Sequence, residues 1–313
     1  MDVAIEAREL VKEFASGKVR AIDGLDLSIF RGEIFGIVGP NGAGKTTFMS
    51  LLLGLLWPTS GSLSIGGLPP ESMEVHRKIG YLPERLDFIK WMSGIQFMEF
   101  NAALLGIDRA QSTSEIERLF ELVELERGSW SRRVKSYSRG MLQRIGMAQA
   151  LLGSPEYLFL DEPSSGLDPL GVSLFRRILL EQKELGRTVV INSHQLDQLE
   201  RVCDRVAFIK SGKVQSVETM KSFSPRTGTL IVRFHMAMEA EFSVESLREI
   251  VSGVGAELEL CDFPRASIRI EGDEMSSDLI GGLSKAGMKV VEASRGEGRL
   301  ESFFVEVKDS SRE

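Results

Sequence analysis

Apolar positions along this chain recur with two periods. Val3–Leu10 and Ile22–Phe30 alternate apolar and polar residues between polar turns, the period of half-buried strands. Glu33–Val38 is a nearly continuous apolar run and reads as a buried strand; Ser62–Ile65 and Lys78–Leu82 read as two more. A helix is predicted to open near Gly44 and to run to about Trp57, where Pro58 stops it. From about Ile95 to Glu124 the period becomes helical: Ile95, Met98, Ala102 and Leu105 share one face, and Ile116, Leu119, Phe120 and Val123 share the next. Met141–Leu152 reads as a further helix. Tyr157-Leu158-Phe159-Leu160 then reads as a buried parallel strand that ends on two acids. Strand and helix alternate, so an α/β layered domain is expected.

The pattern changes after residue 220. Ser222–Gly228 reads as a linker, rich in turn-forming residues. Beyond it come strand Thr229–Phe234, helix Val244–Val251, strands Glu257–Cys261 and Ser267–Glu271, helix Met275–Ala286 and strand Lys289–Glu292. This βαββαβ order predicts a small ferredoxin-like α+β domain. The expected division is residues 1–221 and residues 229–313, and 313 residues are enough for two cores. Nothing in the second part carries a catalytic pattern, so its expected role is structural or regulatory.

Candidate chemistry begins at Gly39-Pro40-Asn41-Gly42-Ala43-Gly44-Lys45-Thr46-Thr47, which fits GxxxxGK followed by Ser or Thr. Accident would give this pattern in roughly 1% of chains of such length. Here it also stands between a predicted strand and a predicted helix. Glycines let the backbone wrap a polyphosphate without Cβ clashes, and the helix N-terminus adds about half a positive charge. Lys45 can reach the β- and γ-phosphates, and the Thr46 hydroxyl can ligate Mg²⁺. A nucleoside triphosphate is the expected ligand.

Asp161 and Glu162 close the apolar strand at Tyr157–Leu160. The C-terminal end of a parallel strand delivers side chains to a ligand crevice. An Asp there can hold Mg²⁺ through its water shell, and the adjacent Glu can orient or deprotonate an attacking water. On their own these are two solvated acids at a strand end. With a phosphate loop about 115 residues upstream, the catalytic reading is preferred.

Composition narrows the partners. The chain is 42% hydrophobic and 27% charged, as ordinary globular proteins are, and its net charge of −7 argues against nucleic acid as the main partner. Cys203 and Cys261 lie far apart without metal-ligand spacing and are expected to be buried thiols in a reducing compartment. The N-terminus has no basic, apolar leader pattern, and no apolar run reaches the length of about 20 residues that a spanning helix needs. A soluble chain is expected. His76 and His235 fit no motif and are expected at the surface or in packing.

Three further segments complete an ordered set: Ser136-Tyr137-Ser138-Arg139-Gly140-Met141-Leu142-Gln143-Arg144, Ser165-Gly166-Leu167-Asp168, and Val189-Val190-Ile191-Asn192-Ser193-His194. With the phosphate loop and the Asp-Glu strand, residues from about 3 to 217 resemble the ATP-binding cassette ATPases. The resemblance implies a P-loop NTPase cassette with an antiparallel β subdomain and a helical subdomain. Phe14 resembles the aromatic that stacks on adenine; a core position at a strand end is its alternative role. Ser138 and Gly140 match signature positions that meet the γ-phosphate of ATP held by a partner subunit. The family's commonest signature has Gly and Gln where this chain has Arg139 and Met141. Asp168 would bridge two subunits, and His194 would sense the γ-phosphate.

The Q-loop position, where most members carry Gln, is filled by Glu84, which can still coordinate Mg²⁺ or a water. Leu82-Pro83-Glu84 and Tyr137-Ser138-Arg139-Gly140-Met141 resemble the exporter branch typified by drug-resistance and sodium-extrusion ATPases, and Leu300–Val307 resembles its short closing helix. The resemblance therefore implies a homodimer with two composite ATP sites, bound to a separate integral-membrane permease at the cytoplasmic face. The face between Glu84 and Trp130 would transmit closure, with Trp91 either on that face or in the core. An importer ATPase and a soluble ribosome- or chromosome-acting cassette are the alternatives.

Overall fold

The computed structural model describes residues 2–15, 17–220, 228–235 and 243–295. The chain divides into two compact units, Met1–Met220 and Lys221–Glu313.

The first unit is built on two sheets. Strand β1 (Val3–Phe14) pairs antiparallel with β2 (Val19–Phe30) on one side and β4 (Ser60–Ile65) on the other. The second sheet has the order β5 (Ile79–Leu82), β6 (Tyr157–Asp161), β7 (Thr188–Asn192), β3 (Ile34–Val38), β8 (Arg205–Lys210), β9 (Lys213–Thr219). All its pairings are parallel except β9 on β8.

One core joins the sheets. Leu10, Ile22 and Leu25 from the antiparallel sheet meet Phe48 and Leu52 of α1 (Lys45–Leu52) and Phe35, Phe159 and Val190 of the parallel sheet. Leu158 and Leu160, which alternate with Tyr157 and Phe159, are equally buried. Strand β6 is thus sealed on both faces, which is why its sequence is a continuous apolar run. Truncating Phe159, fully buried, to Ala would cost about 3–5 kcal/mol.

Helices α3 (Gly94–Leu104), α4 (Arg109–Leu122) and α5 (Arg139–Leu151) pack together around Met98, Leu119, Phe120, Ile145 and Met147. Before them comes the short α2 (Met73–His76), and after them α6 (Pro169–Glu184) and α7 (Leu196–Glu200). Ser93 and Gln96 form a reciprocal cap at the start of α3, satisfying amides that have no partner within the helix.

The boundaries differ from the sequence expectation in informative ways. Strand β1 continues to Phe14 because the hairpin pairing persists through Lys12↔Ile22 and Glu13↔Arg20 after apolar alternation has faded. Helix α1 stops at Leu52, short of Trp57. Gly54 takes φ 66°, and the amides of Leu55 and Leu56 both turn back to the Ser50 carbonyl, at 2.9 and 3.2 Å. Leu55 and Trp57 are consequently exposed. Helix α5 begins two residues early, at Arg139, with Ser138 as its cap.

The second unit runs β10 (Gly228–Phe234), α8 (Val244–Gly253), β11 (Glu257–Asp262), β12 (Arg265–Ile270), α9 (Gly272–Lys285), β13 (Val290–Arg295). Its antiparallel sheet has the order β11-β12-β10-β13, the arrangement that βαββαβ order predicts for a ferredoxin-like fold. Leu230, Val232, Ile268 and Ile270 bury against Leu247 and Val251 of α8 and Leu279 and Leu283 of α9. Cross-strand ion pairs join Arg233 to Glu292, and Arg269 to Glu257 and Glu259. Residues 222–227 of the expected linker and the expected closing helix at 300–307 lie outside the described residues.

His76 and His235 are exposed, and Cys203 is buried as expected, whereas Cys261 is only partly buried. Cys261 stands on β11, which among the described residues is an edge strand paired only with β12. No helix among the described residues is long and apolar enough to cross a membrane.

Candidate functional site

Sheet order creates the site. β7 lies between β3 and β6, and Asn192, its last residue, is in register with Ile37 on one side and Asp161 on the other. The C-terminal ends of three strands therefore finish level, with the 39–44 loop next to two acids. Ligand crevices form at this edge of a parallel sheet.

The loop from Gly39 to Gly44 turns tightly, with Ala43 N donating to Pro40 O at 3.1 Å. Gly44 caps α1 in a left-handed conformation, φ 105°, and a Cβ there would lie 2.4 Å from the Ala21 carbonyl oxygen. Only glycine fits, and it brings no side chain to cap the first turn of α1. The first amides of a helix have no partner within it, and a helix N-terminus left without a side-chain cap is an anion-binding arrangement. Asn41 and Gly42 are exposed at the loop's tip, Pro40 and Thr47 are half-buried, and Thr46 is exposed at the start of α1.

Lys45 folds back over the loop, its Nζ donating to Gly39 O at 2.8 Å and to Pro40 O at 3.0 Å. Burial pulls its pKa below the ordinary lysine value, while Glu162 and Asp161 act in the opposite direction. An ammonium that burial disfavours is poised to gain from an incoming anion.

Asp161 is only 5% exposed. Asn192 Nδ2 donates to its Oδ1 at 2.6 Å. Burial raises the Asp161 pKa above the usual carboxylate range, the Asn192 bond opposes this, and Glu84 and Glu162 push it further up. Exposed Glu84, just beyond β5, thus belongs to the same electrostatic neighbourhood. Asn192 Oδ1 is buried and has no hydrogen-bond partner among the described residues.

Glu162 leaves the strand in a left-handed conformation, φ 49°. Its carboxylate is held on both oxygens. The His194 amide donates to Oε1 at 3.0 Å, His194 Nδ1 lies 2.7 Å from the same atom, and Ser193 Oγ donates to Oε2 at 3.2 Å. The His194 ring is otherwise largely exposed.

The structure therefore brings Lys45, Asp161, Glu162, Glu84 and His194 together. Ser138 stands elsewhere, capping α5 by accepting from Met141 N at 3.3 Å, and Gly140 has open space around its Cβ position. Asp168 caps α6 through Gly171 N at 2.8 Å and is exposed. Phe14 is 37% exposed at the end of β1, with Lys12 Nζ 5.2 Å from its ring centre, so it is not a core residue. Trp91 is 68% exposed, which likewise removes its core alternative. Asn192 and Ser193 went unassigned in the sequence. Two polar residues ending the apolar Val189–Ile191 run were the available signal.

A family model described as "ABC transporter" matches residues 22–165. An uncharacterized ABC transporter ATP-binding protein of Nostoc sp. is 42% identical over 198 residues, covering 63% of this chain and 59% of that relative, less than two thirds of its length. The bacitracin transport ATP-binding protein of Bacillus licheniformis is 37% identical over 217 residues, covering 68% of this chain and 69% of the relative. Among solved structures, cbiO1 from Clostridium perfringens, described as part of the cbiONQ ABC transporter complex, superposes with TM-score 0.63 at 30% identity, covering 71% of this chain and 90% of that one. This chain belongs to the ATP-binding subunits of ABC transporters.

Proposed function

We propose that this chain hydrolyses MgATP as the ATPase subunit of an ABC exporter. The observation that carries the reading is Glu162, whose carboxylate is fixed by Ser193 and His194 next to Asp161 and Lys45. The loop amides and Lys45 bind the β- and γ-phosphates of ATP. Glu162, held by the His194 amide and the Ser193 hydroxyl, orients the attacking water and takes its proton as the terminal P–O bond to the leaving ADP breaks. His194, whose amide and ring both contact Glu162 Oε1, would sense the γ-phosphate.

The residues present fit Mg²⁺. Asp161, Glu84 and the Thr46 hydroxyl are hard oxygen donors, and the unpartnered Asn192 Oδ1 is an acceptor suited to a water of the metal's shell. When bound, Mg²⁺ offsets phosphate charge. Asp161, Thr46 and Glu84 would hold it.

Two copies would dock head to tail, with Ser138 and Gly140 of one against the nucleotide on Lys45 of the other and Asp168 bridging the pair. The dimer is isologous, with two identical composite sites. A separate permease, to which the dimer binds at the cytoplasmic face, would supply the pathway. A transport role is supported by the name of the Bacillus licheniformis relative, and the export direction by the resemblance of Leu82-Pro83-Glu84 to the exporter branch.

The test is Glu162→Gln, which keeps size and hydrogen bonding but removes the base. Hydrolysis should fall by about 100-fold or more while MgATP binding persists and a closed dimer accumulates. Turnover within about threefold of the parent would contradict the assignment.

A further inference from the structure

Arg139 opens helix α5, and its Nη2 donates to Ser165 Oγ at 2.7 Å. The stem of the same side chain lies on Gly166. A Cβ on that residue, which takes φ 77°, would sit 2.3 Å from Arg139 Nε and 2.4 Å from its Cδ. One turn further along α5, buried Gln143 donates through Nε2 to Pro163 O at 2.7 Å. Residues four apart share a helical face. One face of α5 therefore grips the segment Pro163–Gly166 at both ends.

That segment is the connection between Glu162 and Asp168. Ser165 N donates to Glu162 O at 3.0 Å and Leu167 N to Ser164 O at 3.2 Å, so it is a run of tight turns with little slack. The start of α5 also carries Ser138, as its cap, and Gly140.

We propose that Arg139 is a positioning residue that fastens the N-terminus of α5 to the loop carrying Glu162. An event at Ser138 and Gly140 is thereby passed to the carboxylate of the same subunit. In the two-copy arrangement proposed above, on which this consequence rests, the event is the arrival of the partner's nucleotide, and the clamp links the two composite sites. The clamp itself is a property of one chain.

Three variants of the full chain test it: Arg139→Ala, Ser165→Ala and Arg139→Lys. In nucleotide-free protein, hydrogen exchange at the Ser165 and Leu167 amides should rise about tenfold in the two alanine variants, and Arg139→Lys should restore at least part of the protection. Unchanged exchange would overturn the clamp. In ATP titrations of hydrolysis, both alanine variants should lower the Hill coefficient towards 1, with the midpoint within about threefold of the parent. The double variant should add nothing further, since the two residues act through one contact. An effect of Arg139→Ala without any effect of Ser165→Ala would mean that the bond to Ser165 does not fasten the loop, and the proposal would fall. A parent chain that neither hydrolyses ATP nor dimerises with it would overturn the two-copy reading instead, and the exchange measurement would still decide the clamp.

Discussion

Asn192 donates to Asp161 at 2.6 Å across two strands whose backbones are in register at those same two residues. The bond steadies a carboxylate that burial opposes. A carboxyl whose folded pKa is raised gives the fold its full contribution below the unfolded value, about 3.9, and loses it as pH rises through the folded value. At neutral pH without Mg²⁺, ionised Asp161 should therefore weaken the fold. Asp161→Asn should raise the urea midpoint at pH 7 in the presence of a chelator, by an amount that shrinks as pH falls towards about 4. Adding Mg²⁺ with ATP should shift the parent's midpoint more than the variant's. A variant no more stable than the parent at pH 7 would contradict this account.

Lys45 spends its ammonium on two loop carbonyls until a phosphate arrives. Lys45→Ala removes a charge from a site formed for anions, and charge-assisted bonds to phosphate are the strong ones. Equilibrium titration with labelled ATP should show affinity falling by about 100-fold, while far-ultraviolet circular dichroism stays unchanged.

Gly140 has nothing near its Cβ position, so Gly140→Asp should fold normally. If the α5 terminus meets a partner's γ-phosphate, the new carboxylate repels it. Nucleotide affinity of the monomer should stay within about threefold, and light scattering with a non-hydrolysable analogue should show no dimer. A variant that dimerises like the parent would refute the head-to-tail arrangement.

The second unit has its own core around Val232, Ile268, Val251 and Leu283. Truncation after Phe223 should leave a folded chain that binds MgATP within about threefold of the full-length affinity, because every site residue precedes residue 200. Regulation or pairing with the permease should change instead. A tenfold loss in a folded truncation would show that residues 229–313 help complete the site.

Local signals carried much of the architecture. The phosphate loop, the acids after Tyr157–Leu160 and the βαββαβ tail each announce themselves within a few residues, because strand period, glycine and charge act locally. The end of α1 did not, since Leu55, Leu56 and Trp57 continue the apolar pattern while Gly54 breaks the backbone beneath it. Asn192 was overlooked for a different reason. Its importance lies in β7 standing between β3 and β6, and strand order is a long-range property that no window of residues contains. The nearness of Glu84 to Asp161 has the same origin, in the pairing of β5 with β6.

The late position of β7 in the chain has a consequence for synthesis. The ribosome releases β3 and its loop first and β6 about 120 residues later, yet the strand that bonds the two is made last, at Thr188–Asn192. Until it emerges, the phosphate loop and the acids have no shared sheet. The nascent protein passes through a stage in which every motif up to Glu162 has been translated and the strand that joins β3 to β6 is still missing. Nucleotide that binds only the completed sheet stabilises it by mass action after β7 is in place.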